Sequence, residues 1–195
     1  RTVARFMREA KLSHQIHNDG VVKVIDAWID DQRRCCLVME LLRGMSLREV
    51  IDCGKLKRAR VLQWVVNALG PLEAAHRAGI IHRDIKPSNL LRQEDGKLSL
   101  IDFGIAVDDA HKTVGRTMGV GTFGYQAPEQ VSGDPTTRSD LYSVGVIAVE
   151  LFTRISPREL LTHRGVLDWQ RKCLKLPIDW QRWLDRMLME EPTGR

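Results

Sequence analysis

No stretch of this chain stays apolar for the roughly 20 residues that a membrane-crossing helix needs. The longest buried-looking run, Val144 to Leu151, is far shorter and contains Glu150. No secretory leader is recognisable either. Cysteine is sparse: Cys35, Cys36, Cys53 and Cys173 form no C-x-x-C pair and no zinc spacing, which excludes a disulfide scaffold and a zinc module. Buried or half-buried free thiols in a reducing compartment are expected, with the adjacent Cys35 and Cys36 on opposite faces of a strand. Aromatics make up only 6% of residues. None interleaves the densest basic run, Lys55, Lys57, Arg58 and Arg60, so that run reads as a solvated helix face and no nucleic-acid partner is expected. Gly and Pro, at 15 and 7 of 195 residues, are too few for a collagenous or low-complexity chain.

What remains is ordinary globular material, 43% hydrophobic and 28% charged, of a length that suits one domain. Its charge is uneven: residues 1–97 carry 18 Lys and Arg against 12 Asp and Glu, and the rest is nearly balanced. Residues 2–17 read as a helix, with Val3, Phe6, Met7, Ala10 and Ser13 on one face. Val21 to Ile29 and Arg34 to Glu40 are β-rich and joined by Asp30-Asp31-Gln32-Arg33, a hairpin pattern. Ser46-Leu47-Arg48-Glu49 is a capping box that opens a short helix to about Cys53. A longer helix is expected from about Arg58 to Ala78, kinked or broken at Gly70-Pro71 and ended by Gly79.

Short strands follow at Ile80-Ile81, Leu90-Leu91 and Lys97 to Ile101, with the turn Glu94-Asp95-Gly96 between the last two. Residues 102–124 read as a long loop, and a loop of that length inside a domain is usually functional. From Ser139 to Thr153 the pattern is apolar nearly all round, which predicts a buried helix. Ser156-Pro157-Arg158-Glu159 opens another helix, and Ile178 to Met189 is a final amphipathic one. The five Trp residues are expected in core or half-buried positions. His14 and His17 have no further ligand at usable spacing and read as solvated.

The chemistry concentrates in His82-Arg83-Asp84-Ile85-Lys86-Pro87-Ser88-Asn89 and, 18 residues after Asp84, in Asp102-Phe103-Gly104. The fixed positions of the first string have a chance frequency on the order of 10⁻⁸ at about 5% per residue type. These strings resemble the catalytic loop and metal-binding turn of eukaryotic-type protein kinases. The resemblance extends through Gly121-Thr122, Ala127-Pro128-Glu129, Ser139-Asp140-Leu141-Tyr142-Ser143 and Glu191-Pro192-Thr193-Gly194-Arg195. Arg5-Phe6-Met7-Arg8-Glu9 is similar to the regulatory helix of the small lobe, and Leu37-Val38-Met39-Glu40 to the strand entering the hinge. In style the chain looks most like bacterial serine/threonine kinases.

The resemblance implies an α+β, two-lobed protein-kinase-like fold. Residues 1–42 would be a small-lobe remnant and hinge, and residues 43–195 a mostly helical large lobe lacking its last helix. It implies a serine/threonine kinase that uses ATP and Mg²⁺, with Mn²⁺ as the alternative ion. Asp84 would be the catalytic base, Lys86 the charge beside the moving phosphate, and Asn89 and Asp102 the metal ligands. ATP would rest against Met39, Glu40, Leu42 and Leu91. Thr122 would line the acceptor pocket, and Arg83 would bind a phosphate on Thr113 or Thr117. Glu9, Phe103, Gly104, Glu129, Asp140 and Arg195 take structural or regulatory places, with Glu129 and Arg195 as a buried ion pair.

Implied partners are protein substrates bearing Ser or Thr and a second kinase copy for autophosphorylation. The compartment would be the cytoplasm, or the cytoplasmic face of a membrane if an anchor lies outside this chain. The glycine-rich phosphate loop and the Val-Ala-x-Lys strand do not occur here, so Glu9 lacks its ion-pair partner and the 195 residues alone are expected to be inactive. The rival readings are a pseudokinase scaffold, against which Asp84, Asn89 and Asp102 argue, and a small-molecule phosphotransferase, which would not be expected to show Gly-Thr and Ala-Pro-Glu.

Overall fold

Side-chain caps at Ser46 and Thr136 start two of the helices, and apolar spacing decides which faces the elements bury. In a computed structural model that describes residues 7, 10, 14, 16–54, 56–102, 121–163 and 165–195, Met7, Ala10 and His14 are helical. Strands β1 (Val24–Ile29) and β2 (Cys35–Met39) then pair antiparallel, from Val24 opposite Met39 to Ile29 opposite Cys35. The turn between them is organised by Asp30, whose carboxylate accepts the N–H groups of Gln32 and Arg34 and the Arg34 side chain. Val21 does not belong to β1. Its backbone lies alongside Leu100 instead, with Val22 N–H donating to the Leu100 carbonyl at 3.0 Å.

A second sheet is formed by β3 (Gly44–Ser46), β4 (Leu90–Gln93) and β5 (Leu98–Leu100), antiparallel in that order. Helix α1 (Leu47–Cys53) begins on the capping box: Ser46 Oγ accepts from Glu49 N–H while Glu49 accepts from Ser46 N–H. Helix α2 (Arg58–Arg77) buries Val61, Trp64, Val65, Ala68, Leu72 and Ala75, a stripe at helical spacing.

The expected break at Gly70-Pro71 does not occur, and α2 runs through Pro71. Gly70 has no Cβ to collide with the proline ring, which relieves part of the usual hindrance to helix before Pro. The Pro71 ring is buried against Gly20, whose own Cβ, had it one, would sit 2.4 Å from Pro71 Cγ. The helix ends in a Schellman turn, with Gly79 at φ +75° and Ile80 N–H reaching the Ala75 carbonyl at 3.0 Å. That turn also explains why Ile80-Ile81 is not a strand: the Ile80 donor is already committed to the helix end.

Helix α3 (Pro128–Val131) precedes α4 (Thr137–Thr153), which is capped by Thr136 and buried on nearly all sides, from Ser139 to Leu151. A fully buried residue such as Val146 or Ile147 contributes on the order of 2 kcal/mol. Helix α5 (Pro157–Leu160) is a single turn. Ser156 makes no side-chain cap, and the chain leaves at once because Leu161 pairs with Leu167. Helix α6 (Ile178–Met187) ends two residues before the expected Met189 and inserts Leu184 and Met187 into the core. Trp180 packs edge-on against both Phe152 and Trp183.

Trp28, 44% exposed, departs from the half-buried expectation, as do the exposed thiols of Cys35 and Cys53. All three lie at or beside the ends of short elements with one open face. No helix of the described residues is long and apolar enough to cross a membrane.

The end of the chain is tied back by Arg195. Its guanidinium grips Glu129 at both oxygens, 2.6 and 3.0 Å, and also donates to the carbonyls of Arg138, Met189 and Glu190. Tyr142 lies under it at 4.8 Å. Burial pushes the Glu129 carboxyl up, but the hydrogen bonds from Arg195 and Ser139 outweigh this and hold it below the usual carboxylate range. The folded state therefore binds this proton less tightly than the unfolded chain. The pair's stabilisation is present above the ordinary Glu value of about 4.3 and is lost as pH falls through the depressed value. In urea titrations, Glu129→Gln should be clearly less stable than the wild type at pH 7, and the gap should narrow steadily below pH 4. A gap independent of pH would mean that the carboxylate charge is not what holds Arg195.

Candidate active site

Asp140, in the first turn of α4 and only 1% exposed, organises the loop that follows α2. Its Oδ1 accepts Arg83 N–H at 2.9 Å, and its Oδ2 accepts His82 N–H at 2.9 Å and the ring of His76 at 2.8 Å. Buried anions persist only when such donors surround them, and the positive end of a helix adds to their effect. Arg83 is held at φ +68°, a conformation non-glycine residues seldom adopt, with its carbonyl accepting from Gln130 Nε2. His82 is fully buried, and burial pulls its pKa below the usual value. Its Nδ1 accepts Asp84 N–H at 3.3 Å, which leaves Nε2–H to donate to the Ile101 carbonyl at 3.0 Å.

From this base the loop presents a triangle of side chains. Lys86 Nζ donates to Asp84 Oδ2 at 2.6 Å and to Thr122 Oγ1 at 3.0 Å, while the Thr122 hydroxyl donates to Asp84 Oδ1 at 2.8 Å. Burial pushes the Asp84 carboxyl up, but the hydrogen bonds from Lys86 and Thr122 outweigh it and keep it below the usual range. Asp84 is thus an ionised carboxylate, 15% exposed at its side chain and aimed at a hydroxyl. Thr122 reaches it because Gly121, at φ +129°, lets the backbone pass close to Arg83 and Gln130. A Cβ there would lie 2.6 Å from Gln130 Nε2 and 2.8 Å from the Arg83 carbonyl.

Asn89 is buried, and its amide nitrogen donates to the Asp84 carbonyl at 2.9 Å and to Asp84 Oδ2 at 3.3 Å. The amide oxygen is thereby turned away from Asp84. The Asn89 carbonyl accepts Ile101 N–H at 2.9 Å, which brings Asp102 next to it. Asp102 sits at φ +53°, exposed, and among the described residues its carboxylate takes no hydrogen bond. Neither is there, among the described residues, any group of three or more His, Cys, Asp or Glu side chains placed to hold a metal ion. One amide oxygen and one carboxylate are hard donors and too few for a complete cage. They suit an ion that keeps waters and phosphate oxygens, as Mg²⁺ does.

At the other edge, Met39 ends β2 opposite Val24, and Glu40 is bound both ways to Lys23: its N–H donates to the Lys23 carbonyl and its Oε1 accepts Lys23 N–H. The Glu40 N–H is therefore already committed to Lys23. Leu42 and Leu91 are half-buried, and Leu91 lies in β4 between Ser46 and Ser99.

The family model described as the protein kinase domain matches residues 1–183. The chain belongs to the protein kinase domain family. Among its relatives, serine/threonine-protein kinase PknL of Mycobacterium tuberculosis is 42% identical over 158 residues, covering 80% of this chain and 39% of PknL. A probable serine/threonine-protein kinase of Streptomyces coelicolor is 41% identical, covering 77% of the chain and 24% of that protein. Serine/threonine-protein kinase PknA of Nostoc is 36% identical over 203 residues, covering 98% of the chain and 36% of PknA. The chain thus spans well under half the length of each of these relatives.

Within this kinase domain the structure brings together Asp84, Lys86, Asn89, Thr122, Arg83 and Asp140, and separately Glu129 and Arg195. Glu9, Phe103, Gly104, Thr113 and Thr117 lie outside the described residues. Several contributors escaped sequence reasoning. His76 and Gln130 hold the loop, and Arg48 and Tyr125 form a cluster with the buried Glu150, Arg48 Nη2 approaching Glu150 Oε1 at 2.6 Å and Tyr125 Oη at 2.8 Å. The available signal was Glu150 itself, since an acid in the middle of an apolar helix needs a cationic partner.

Replacing Asp140 with Ala would strand the buried His82 N–H, the part-buried Arg83 N–H and the His76 ring. We expect a loss of about 3 kcal/mol or more in denaturant unfolding. A loss below about 1 kcal/mol would mean the loop is held from elsewhere.

Proposed function

We propose that the protein carrying this chain is a serine/threonine protein kinase, moving the γ-phosphoryl group of ATP to Ser or Thr hydroxyls of proteins. The observation that carries this reading is the ionised Asp84 carboxylate, flanked by Lys86 and Thr122 and braced by the Asn89 amide. The printed names of the relatives point to the same acceptor class. Bound ATP with Mg²⁺ would supply the electrophilic phosphorus and neutralise charge on the phosphate oxygens.

The chain's own residues would do the rest. Asp84 would accept a hydrogen bond from the substrate hydroxyl in the place where Thr122 now donates, and take its proton as the new O–P bond forms and the bond from the γ-phosphorus to the bridging oxygen breaks, releasing ADP. Lys86, already 2.6 Å from Asp84, keeps that carboxylate ionised and places an ammonium at the phosphate's path. Asn89 and Asp102 would hold Mg²⁺, or Mn²⁺ in its place. Met39, the backbone of residues 40–42 and Leu91 would form the adenine side, with residues 1–42 belonging to the small lobe and hinge and residues 43–195 to the large lobe. Arg83 would bind a phosphate on Thr113 or Thr117, placed there by a second copy of the kinase. A kinase that draws on ATP would work in the cytoplasm or on the cytoplasmic face of a membrane. No observation here favours a scaffold without phosphoryl transfer.

The test is Asp84→Asn in the full-length protein. Radiolabelled phosphate transfer to a Ser/Thr protein substrate should fall by about 10²–10⁴ in kcat, with nucleotide affinity within about threefold of the wild type. Unchanged transfer would remove Asp84 from the reaction.

A further inference from the structure

Phe123 follows directly on Thr122, yet it is 52% exposed while the neighbouring Tyr125 is buried. The two residues Thr122 and Phe123 are bracketed by Gly121 and Gly124, at φ +129° and +98°, and both glycines are tightly packed. A Cβ on Gly124 would meet Pro157 Cβ at 3.3 Å and Arg158 Cγ at 3.5 Å. The segment is therefore fixed on one side against Arg83 and Gln130, and on the other against the start of α5. Such fixing argues that Phe123 is displayed in one place and is not a mobile side chain that happens to face water.

Arg158 completes the display. Its guanidinium lies over the Phe123 ring, 5.7 Å from the centroid, within the range of a cation–π contact. Arg158 is exposed, and among the described residues no carboxylate pairs with it. A guanidinium held over a ring by a cation–π contact makes no hydrogen bond to it, so its N–H donors remain available, and their planar fork matches a carboxylate. An extended substrate advances 3.3 to 3.6 Å per residue. With its acceptor hydroxyl at Asp84 beside Thr122, a residue one or two positions away would reach Phe123 and Arg158.

We propose that Phe123 and Arg158 form a specificity platform selecting substrates that carry an Asp or Glu one or two residues from the phosphorylated Ser or Thr. This rests on the kinase reading of the site given above. The platform acts on recognition, since neither side chain touches Asp84. Its signature belongs in KM more than in kcat.

The experiment uses the full-length protein and Ser-containing peptides with Glu, Ala or Lys placed in turn at each of the two positions on either side of the acceptor. At one position, wild type should favour Glu over Lys by about tenfold in kcat/KM, the size expected when an exposed attraction is exchanged for a repulsion. Arg158→Ala should flatten that ratio, Arg158→Glu should invert it, and Phe123→Ala should reduce it by loosening the guanidinium. Because each ratio is taken within one enzyme preparation, partial misfolding of a variant cancels out. No acidic preference in wild type, or the same ratios in wild type and Arg158→Glu, would overturn the platform while leaving the kinase reading intact. Absence of transfer to every peptide and to intact Ser/Thr protein substrates alike would overturn both.

Discussion

A single buried carboxylate, that of Asp140, is the constraint on which the site depends. An anion sealed inside a protein is tolerated only when donors surround it, and the donors available here are two backbone N–H groups and the His76 ring. Satisfying Asp140 therefore dictates the path of residues 82 and 83. That path places His82 in the core, turns Arg83 into the left-handed region, and sets the half-buried Asp84 beside Lys86 and Thr122. The loop has no ladder of its own to hold it. Its rigidity is borrowed from the most buried helix of the fold.

The acceptor side is positioned by a second, independent set of contacts. Gln130 in α3 reaches the Arg83 carbonyl, and Gly121 packs against both, so Thr122 arrives at Asp84 from a segment 38 residues away in sequence. Helix α3 is itself anchored through Glu129 to Arg195 and through Ser139 to the start of α4. The two sides of the triangle thus share one support, the first turns of α4. Rigid elements supporting short functional loops keep their geometry better than long free loops do.

The sequence carried the helices well, because apolar spacing over ten or more residues leaves little room for another reading. Helices α2, α4 and α6, and the capping box at Ser46, were legible in this way. The loop motif was legible too, since the residues from His82 to Asn89 sit together in the chain. What could not be read were partnerships between distant residues: His76 with Asp140, 64 positions apart, and Arg48 with Glu150, 102 apart. Each side of such a pair looks like an ordinary polar residue until the fold joins them. Local rules also failed where tertiary contacts took over. Ile80-Ile81 has the composition of a strand, but its donor is used by the end of α2. Pro71 should interrupt a helix, but Gly70 before it and Gly20 against its ring make room for it. Ser156-Pro157 signals a helix, yet the pairing of Leu161 with Leu167 stops it after one turn.

The central claim is that a buried carboxylate clamps an otherwise irregular loop, and amide hydrogen exchange followed by NMR tests it most directly. The N–H groups of His82 and Arg83 belong to no helix or strand. If Asp140 holds them as described, they should exchange as slowly as interior amides of α4 such as Val146 and Val149, opening only with global unfolding. Exchange at the rate of ordinary loop amides, orders of magnitude faster than α4, would contradict the account.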